Sequence, residues 1–172
     1  MGYMELIRKS KAHLAGKQAD ISTADVFSSG ALWMHEQLNG LSGEEKTFNA
    51  GINYTFYGLL KYGLSLAAFS IAAILLFRLN VFLVPAAAIV FYLFEVQFLF
   101  LFPLLIDGVE NPILVSIQQT WKTGVIRALI TVMPVAAFML IGLLRLKDPF
   151  RNWYIGCMAI LIWYHDEVRN RV

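Results

Sequence analysis

The stretch "VFLVPAAAIVFYLFEVQFLFLFPLLI", residues 81–106, decides the fold class. It holds about 26 residues and contains a single charged side chain, Glu95, and a single amide side chain, Gln97. A helix needs about 20 mostly apolar residues to cross a bilayer. A run of this length is therefore predicted to cross the membrane with some tilt, and it places a carboxylate and an amide deep in the predicted span.

Three other apolar runs are candidate spans, and they cover residues 58–77, 125–144 and 149–166. The last of them is weak because its apolar core is only about 12 residues, or roughly 18 Å of helix. It either crosses the membrane or forms a re-entrant or interfacial helix. The fold class predicted is all-α: a polytopic membrane protein with three or four transmembrane helices.

Composition supports the membrane class and excludes several others. The chain is 58% hydrophobic, above the roughly half that is typical of soluble domains. A formal net charge of +2 gives no basis for nucleic-acid binding. One cysteine, Cys157, excludes an intrachain disulfide and a multi-thiolate metal site. We predict no metal, no cofactor and no catalytic residues.

Residues 1–57 are predicted to form a helical N-terminal region on the cytoplasmic side, preceding a transmembrane bundle of residues 58–172. Residues 3–15 form a basic helix candidate. Ser22 and Asp25 have capping-box spacing before a second helix that Gly40 would end. The apolar residues of this second helix that are predicted to pack or to contact a partner are Phe27, Trp33 and Leu38.

A second capping box, Ser42 with Glu45, predicts a helix that continues through Phe48 into the first span. Between the second and third spans, Asn111 and Pro112 predict the start of a short helix over residues 112–123. Its apolar face would hold Ile113, Ile117 and Trp121, opposite the polar Ser116, Gln119, Lys122 and Thr123. This pattern is typical of a helix lying in the membrane interface.

The segment "FLFPLLIDGVENPILVSIQQTWKTG", residues 100–124, carries a resemblance that extends over residues 98–144. A Phe-Pro-Leu exit from a span is followed by an acidic loop, a Ser…Trp-Lys helix and another span. This order resembles bacterial integral-membrane domains of the YesL-like kind and the membrane domain fused to some glycerophosphodiester phosphodiesterases. The resemblance implies a helical bundle without catalytic residues, in a bacterial inner membrane.

The distribution of Lys and Arg predicts the orientation. With four spans, ten of the fourteen basic residues fall on the side of the N-terminus, which is therefore predicted to be cytoplasmic. Lys61 and Arg127 are counted there as membrane-edge residues. The cluster Arg145, Lys147 and Arg151 falls on the opposite side and conflicts with this orientation.

Glu95 is the strongest candidate site residue, because an acidic side chain at the centre of a span costs roughly 2.5–3.5 kcal/mol. It is either functional, handling a proton, an ion, a polar ligand or a subunit contact, or neutral and hydrogen-bonded to a neighbour. Tyr92, Ser70 and Thr131 are the predicted partners. Gln97 points about 200° away from Glu95 on a helix, which indicates contact with a second protein or with lipid.

Small residues at Ser65, Ala68 and Ala72 predict close helix packing in the first span. Near the C-terminus, His165, Asp166 and Glu167 could perform acid–base chemistry at the interface, but adjacent helical residues diverge by about 100° and a solvated helix end explains them better.

These observations give three function hypotheses. The first is a non-catalytic integral-membrane subunit that assembles, stabilises or regulates a larger complex, with other membrane subunits, a further copy of itself or lipid as partners. The second is a transporter or channel component that uses Glu95 as an ion or proton site. The third is a membrane enzyme acting at lipid headgroups.

Overall fold

The structure is a computed structural model that describes residues 2–15, 26–43, 45–144 and 150–169. Throughout these ranges the regular structure is helical, without strands. Three helical segments are long and apolar enough to cross a membrane: Tyr54–Leu79, Val81–Ile106 and Val125–Leu143. The all-α class is confirmed, and so is the presence of three candidate spans.

Two helices form the N-terminal region. Helix α1 is Tyr3–His13, close to the predicted residues 3–15. Helix α2 is Val26–Ser42 and continues past the predicted stop at Gly40. Gly43 follows with φ +68°, a left-handed conformation that glycine adopts without strain and that commonly ends a helix. The predicted cap at Ser22 and Asp25 lies outside the described residues.

The predicted capping box at Ser42 and Glu45 is wrong. Ser42 is the last residue of α2, and its hydroxyl donates to the Leu38 carbonyl. The next helix, α3, is Tyr54–Leu79, and Asn53 caps it by accepting a hydrogen bond from the Phe56 amide at 2.9 Å. Phe48 therefore lies in a linker, because the Asn53 cap fixes the helix start farther along the chain.

Helix α3 turns back at Asn80 into a 3₁₀ segment, Val81–Ala86, which leads into helix α4, Ala87–Glu95. Asn80 makes the turn compact because its side chain accepts from the Phe82 amide. We call residues 54–95 the α3–α4 hairpin. Its two arms pack against each other along their length.

The second apolar run is not one continuous helix. After α4 a 3₁₀ turn, Val96–Phe98, precedes the short helix α5, Leu101–Ile106. Pro103 explains the break: proline has no amide hydrogen to give to the carbonyl four residues back, and its ring clashes with that carbonyl. That carbonyl belongs to Leu99, within the break.

Helix α6, Pro112–Thr123, begins at the predicted residue, although the Asn111 side chain makes no capping bond. Its polar side faces the rest of the protein. The side chains that are buried are polar, and they are Ser116, Gln119, Thr120 and Thr123. Trp121, which shares the predicted apolar face with Ile113 and Ile117, is 67% exposed, and the position of this face in the membrane interface stays a prediction.

The last two helices form an antiparallel pair, α7 (Val125–Leu143) and α8 (Arg151–Glu167). Nine residues of α8 are buried, because α1, α2 and α7 all pack against it. The N-terminal helices thus share one core with the rest of the chain: Leu6 of α1 and Trp33 of α2 belong to the same apolar cluster as Trp163 of α8.

Candidate functional site

The hairpin brings together the two oppositely charged side chains of its own arms. Lys61 Nζ lies 3.2 Å from Glu95 Oε1, and the two side chains are 8% and 14% exposed. Lys61 is near the start of α3 and Glu95 ends α4, so the turn at Asn80 places them at the same level. The pair neutralises the charge for which the sequence offered no cationic partner.

Aromatic and thiol groups surround this pair. The Lys61 ammonium lies 5.3 Å from the centroid of the Tyr62 ring, a favourable cation–π distance. Tyr92 and Cys157 of α8 are close enough to interact electrostatically with Glu95.

The predicted partners of Glu95 lie in different places. Tyr92 is nearby, one turn back on α4. Ser70 is exposed, and its hydroxyl donates to the Leu66 carbonyl of its own helix. Thr131 is buried in α7. Lys61 was missed as a partner because its position near the end of a span suggested a membrane-edge residue. A signal was available: Lys61 precedes Ser65, Ala68 and Ala72 at helical spacing, and this stripe is the inward side of α3.

Side chains of α6 donate hydrogen bonds to backbone carbonyls at the helix break beside Glu95. The Thr120 hydroxyl donates to the Val96 carbonyl at 2.9 Å, and the Ser116 hydroxyl donates to the Gln97 carbonyl at 3.0 Å. The Ser116 bond serves the Gln97 carbonyl at the break, and the Thr120 bond adds a second donor to the Val96 carbonyl, which also accepts from the Leu99 amide at 3.2 Å. These bonds also explain why the polar side of α6 faces inward.

The Gln97 side chain is half-buried and donates to the Leu93 carbonyl at 3.3 Å, one turn back. Contact of Gln97 with a second protein stays a prediction. The small residues behave as close-packing positions, since Ser65 is fully buried and Ala68 and Ala72 are half-buried on the side of α3 that meets α4.

The N-terminal aromatic and aliphatic candidates make their contacts within this chain. Trp33 packs on Tyr154 with ring centroids 5.4 Å apart, and Leu38 is 1% exposed. Phe27 stacks on Phe102 at 6.3 Å and is half-buried. Little of the surface of Trp33 or Leu38 is therefore accessible to a partner protein.

The C-terminal acidic residues join helices. Asp166 accepts from Lys9 Nζ at 3.0 Å and contacts His165 Nδ1 at 3.1 Å. Glu167 accepts from Arg127 at 2.8 Å. Burial acts to raise the pKa of Asp166, but the hydrogen bonds from His165 and Lys9 outweigh it, so this pKa is lowered from its ordinary value.

A second acidic centre was not predicted. Asp107, in the loop after α5, is nearly buried and accepts from Arg169 and from the Tyr164 hydroxyl, each at 2.8 Å. Lys46 lies 3.4 Å away. The centre ties the linker before α3 and the C-terminal end of α8 to this loop, and only the fold brings these distant positions together.

Within the described ranges, no group of three or more His, Cys, Asp or Glu side chains is arranged to hold a metal ion. The chemistry that the site offers is a buried ammonium–carboxylate pair beside an interrupted helix. Together with the fold, this defines the chain as an all-helical protein with three helices that could span a membrane and an internal ion pair.

Comparison of the chain with protein-family models, with curated proteins and with solved structures gave no match. The resemblance of residues 98–144 to the YesL-like and phosphodiesterase-associated membrane domains therefore stays a prediction.

Proposed function

We propose that this chain is a non-catalytic integral-membrane subunit that helps to assemble, stabilise or regulate a larger membrane complex. The observation that carries the proposal is that the acidic candidates are engaged in ion pairs within the chain: Glu95 with Lys61, Asp166 with Lys9, and Glu167 with Arg127. Groups held in this way connect helices, and this structural role accounts for them without substrate binding or proton transfer.

The outer surface of the hairpin supports the same role. Large apolar side chains on α3 face outward along the whole helix, for example Leu59, Ile74 and Phe77. Such a surface needs lipid or another membrane protein around it. We infer that the partners are other membrane subunits, with lipid filling the remaining contact area.

The ion pairs of Asp107 also support a cytoplasmic location for the N-terminal region. Asp107 holds together Lys46 and Arg169, so the linker before α3, the loop after α5 and the C-terminal end of α8 lie at one end of the molecule. The excess of basic residues at this end favours the cytoplasmic side of a bacterial inner membrane.

Purification in mild detergent from native membranes tests the proposal. A subunit should co-purify with a different protein at a fixed ratio, which mass spectrometry of the intact complex would identify. The matched control is the same purification after a detergent strong enough to separate subunits. Isolation of only this chain, alone or as a homo-oligomer, would contradict the subunit role.

A second candidate function is ion or proton movement through the Lys61–Glu95 pair, and the helix break favours it. Interrupted helices with freed carbonyl groups are common at transporter sites. A flux assay in liposomes separates the two functions: transport requires that Glu95→Gln abolish flux shown by the wild-type chain, whereas the subunit role requires no flux from either.

A further inference from the structure

Burial changes abruptly at Glu95 within the second apolar run. Before it, on the hairpin, the apolar side chains Phe82, Ile89 and Phe94 are exposed, Phe82 by 87%. After it, Val96, Phe100, Leu101 and Leu104 are fully buried beneath other helices of the chain. The two halves of the run are therefore apolar for different reasons: the first faces outward, and the second is protein core.

The hairpin beyond the ion pair has the length of a membrane crossing. From Lys61 to Leu79 the helix rises about 27 Å at 1.5 Å per residue, and the hydrocarbon core of a bilayer is about 30 Å thick. Between Tyr62 and Phe94 the only buried side-chain positions are Ser65 and Ala87, which lie between the two arms. Polar residues return at the tip, as Arg78 and Asn80.

A bilayer positioned around the hairpin would leave most of α7 outside the hydrocarbon. Cys157 of α8 interacts electrostatically with Lys61 and Glu95, and the adjacent Gly156 lies directly against Met139 of α7. Leu143 is only four residues farther, about 6 Å along the axis. With the axes taken as parallel and 1.5 Å of rise per residue, the hairpin extends about 20 Å farther from this level than α7 does. A bilayer placed on α7 would leave the apolar tip in water.

The charged side chains of α1 distinguish between a bilayer around the hairpin and a bilayer around α7. Lys11 of α1 lies 5.4 Å from the Phe138 ring of α7, and Glu5 and Arg8 of the same helix are exposed. If α7 crossed the hydrocarbon, these charges would lie along its flank, where they are poorly tolerated.

Orientation supports the same choice. With the bilayer on the hairpin, the described Lys and Arg residues other than Arg78 lie on one side, and they include Arg151, which conflicts with the orientation for four spans.

We propose that the bilayer surrounds only the α3–α4 hairpin beyond the Lys61–Glu95 pair, that this pair marks the membrane boundary, and that residues 96–144 and 150–169 lie outside the hydrocarbon. The proposal rests on the proposed function only in requiring that the chain be inserted in a membrane. It makes the ion pair a boundary element, with its charges close to the headgroups.

Matched cysteine probes test the proposal in the full chain, reconstituted into permeabilised vesicles after Cys157→Ser. Ile74→Cys lies on the hairpin and Ile130→Cys on α7, and the native side chains are 59% and 66% exposed. A water-soluble maleimide labels thiols in water but not in hydrocarbon. The total thiol in each sample is measured by labelling in denaturant.

The expected result is labelling at position 130 and loss of labelling at position 74. Protection at both positions would overturn the hairpin topology and leave the integral-membrane role standing. Labelling at both positions would overturn both the hairpin topology and the integral-membrane role. Ile74→Lys and Ile130→Lys give a second readout: only Ile74→Lys should reduce the carbonate-resistant membrane fraction, and a loss caused by Ile130→Lys instead would contradict the proposal.

Discussion

At the scale of single residues, the central feature of the site is the ion pair between Lys61 and Glu95. An acidic residue in an apolar run has several possible explanations, but a carboxylate 3.2 Å from an ammonium within the same hairpin has its counter-charge already. Partly buried ion pairs connect elements well, while an apolar pair of similar volume can be equally stable. The contribution of the pair to the free energy of unfolding is therefore best measured by a double-mutant cycle.

We expect Lys61→Met to lower the unfolding free energy by about 3–5 kcal/mol, because Glu95 is left without a counter-charge. The double variant Lys61→Met with Glu95→Leu should recover most of this loss, since no charge remains. Thermal unfolding of the four proteins of the cycle in mild detergent measures both effects. Additive losses in the double variant would show that the two side chains are not coupled.

Acid should weaken the contact between α1 and α8. The pKa of Asp166 is lowered in the folded protein, so the stability it contributes is present above its unfolded pKa and is lost as the pH falls through the lower folded value. Both partners in the Lys9–Asp166 pair are partly exposed, so the contribution is at most about 1 kcal/mol.

The measurement is the melting temperature of the wild type and of Asp166→Asn across pH. The wild type should be the more stable at pH 7, and the difference should begin to shrink near pH 4 and vanish once the pH is below the lowered pKa of folded Asp166. A difference that stayed constant down to pH 2 would mean that Asp166 does not act through its charge.

At the scale of helices, backbone contacts set where elements meet. Gly58 of α3 lies against the Phe27 ring, and an added methyl group would overlap it. Gly58→Ala should therefore displace α2 and cost about 1–3 kcal/mol. The control is Gly63→Ala on the same helix, where nothing lies within 4 Å. That change should be neutral, or stabilising by up to about 1 kcal/mol.

Urea or thermal unfolding, followed by the combined fluorescence of the four tryptophans of the chain, compares the stability of these two variants. Equal stability of Gly58→Ala and Gly63→Ala would contradict the close packing of Phe27 on α3.

The broken helix depends on hydroxyl groups of α6. Thr120→Val removes one of two donors to the Val96 carbonyl, which keeps the Leu99 amide, and this should cost about 0.5–1.5 kcal/mol. Thr123→Val is the control, because among the described residues its buried hydroxyl has no hydrogen-bond partner. That change should be neutral or stabilising. A larger loss from Thr123→Val than from Thr120→Val would refute the capping role.

Helix positions were predictable because they depend on local composition. Starts at Val81, Pro112 and Val125 follow from apolar runs and proline preferences, and they agree with the structure. The break near Val96 was not predicted, although Pro103 was visible. A proline can be tolerated in a membrane helix when neighbours satisfy the freed groups, so its effect depends on the fold.

At the scale of the whole molecule, the sequence leaves one ambiguity that hydropathy cannot resolve. Lipid and a protein core favour the same apolar side chains, so a run such as residues 81–106 does not reveal where one environment gives way to the other. The Asp107 centre was unpredictable for a related reason, since it requires contacts between segments distant in sequence.

The central claim is that the charged groups of this chain hold its structure and do not perform chemistry or transport. The most direct measurement is the activity of the intact native complex, per complex of verified mass, with the double variant Lys61→Met and Glu95→Leu in place of the wild-type chain. The claim predicts a complex of unchanged mass with unchanged activity. A complex of unchanged mass that had lost its activity would contradict it.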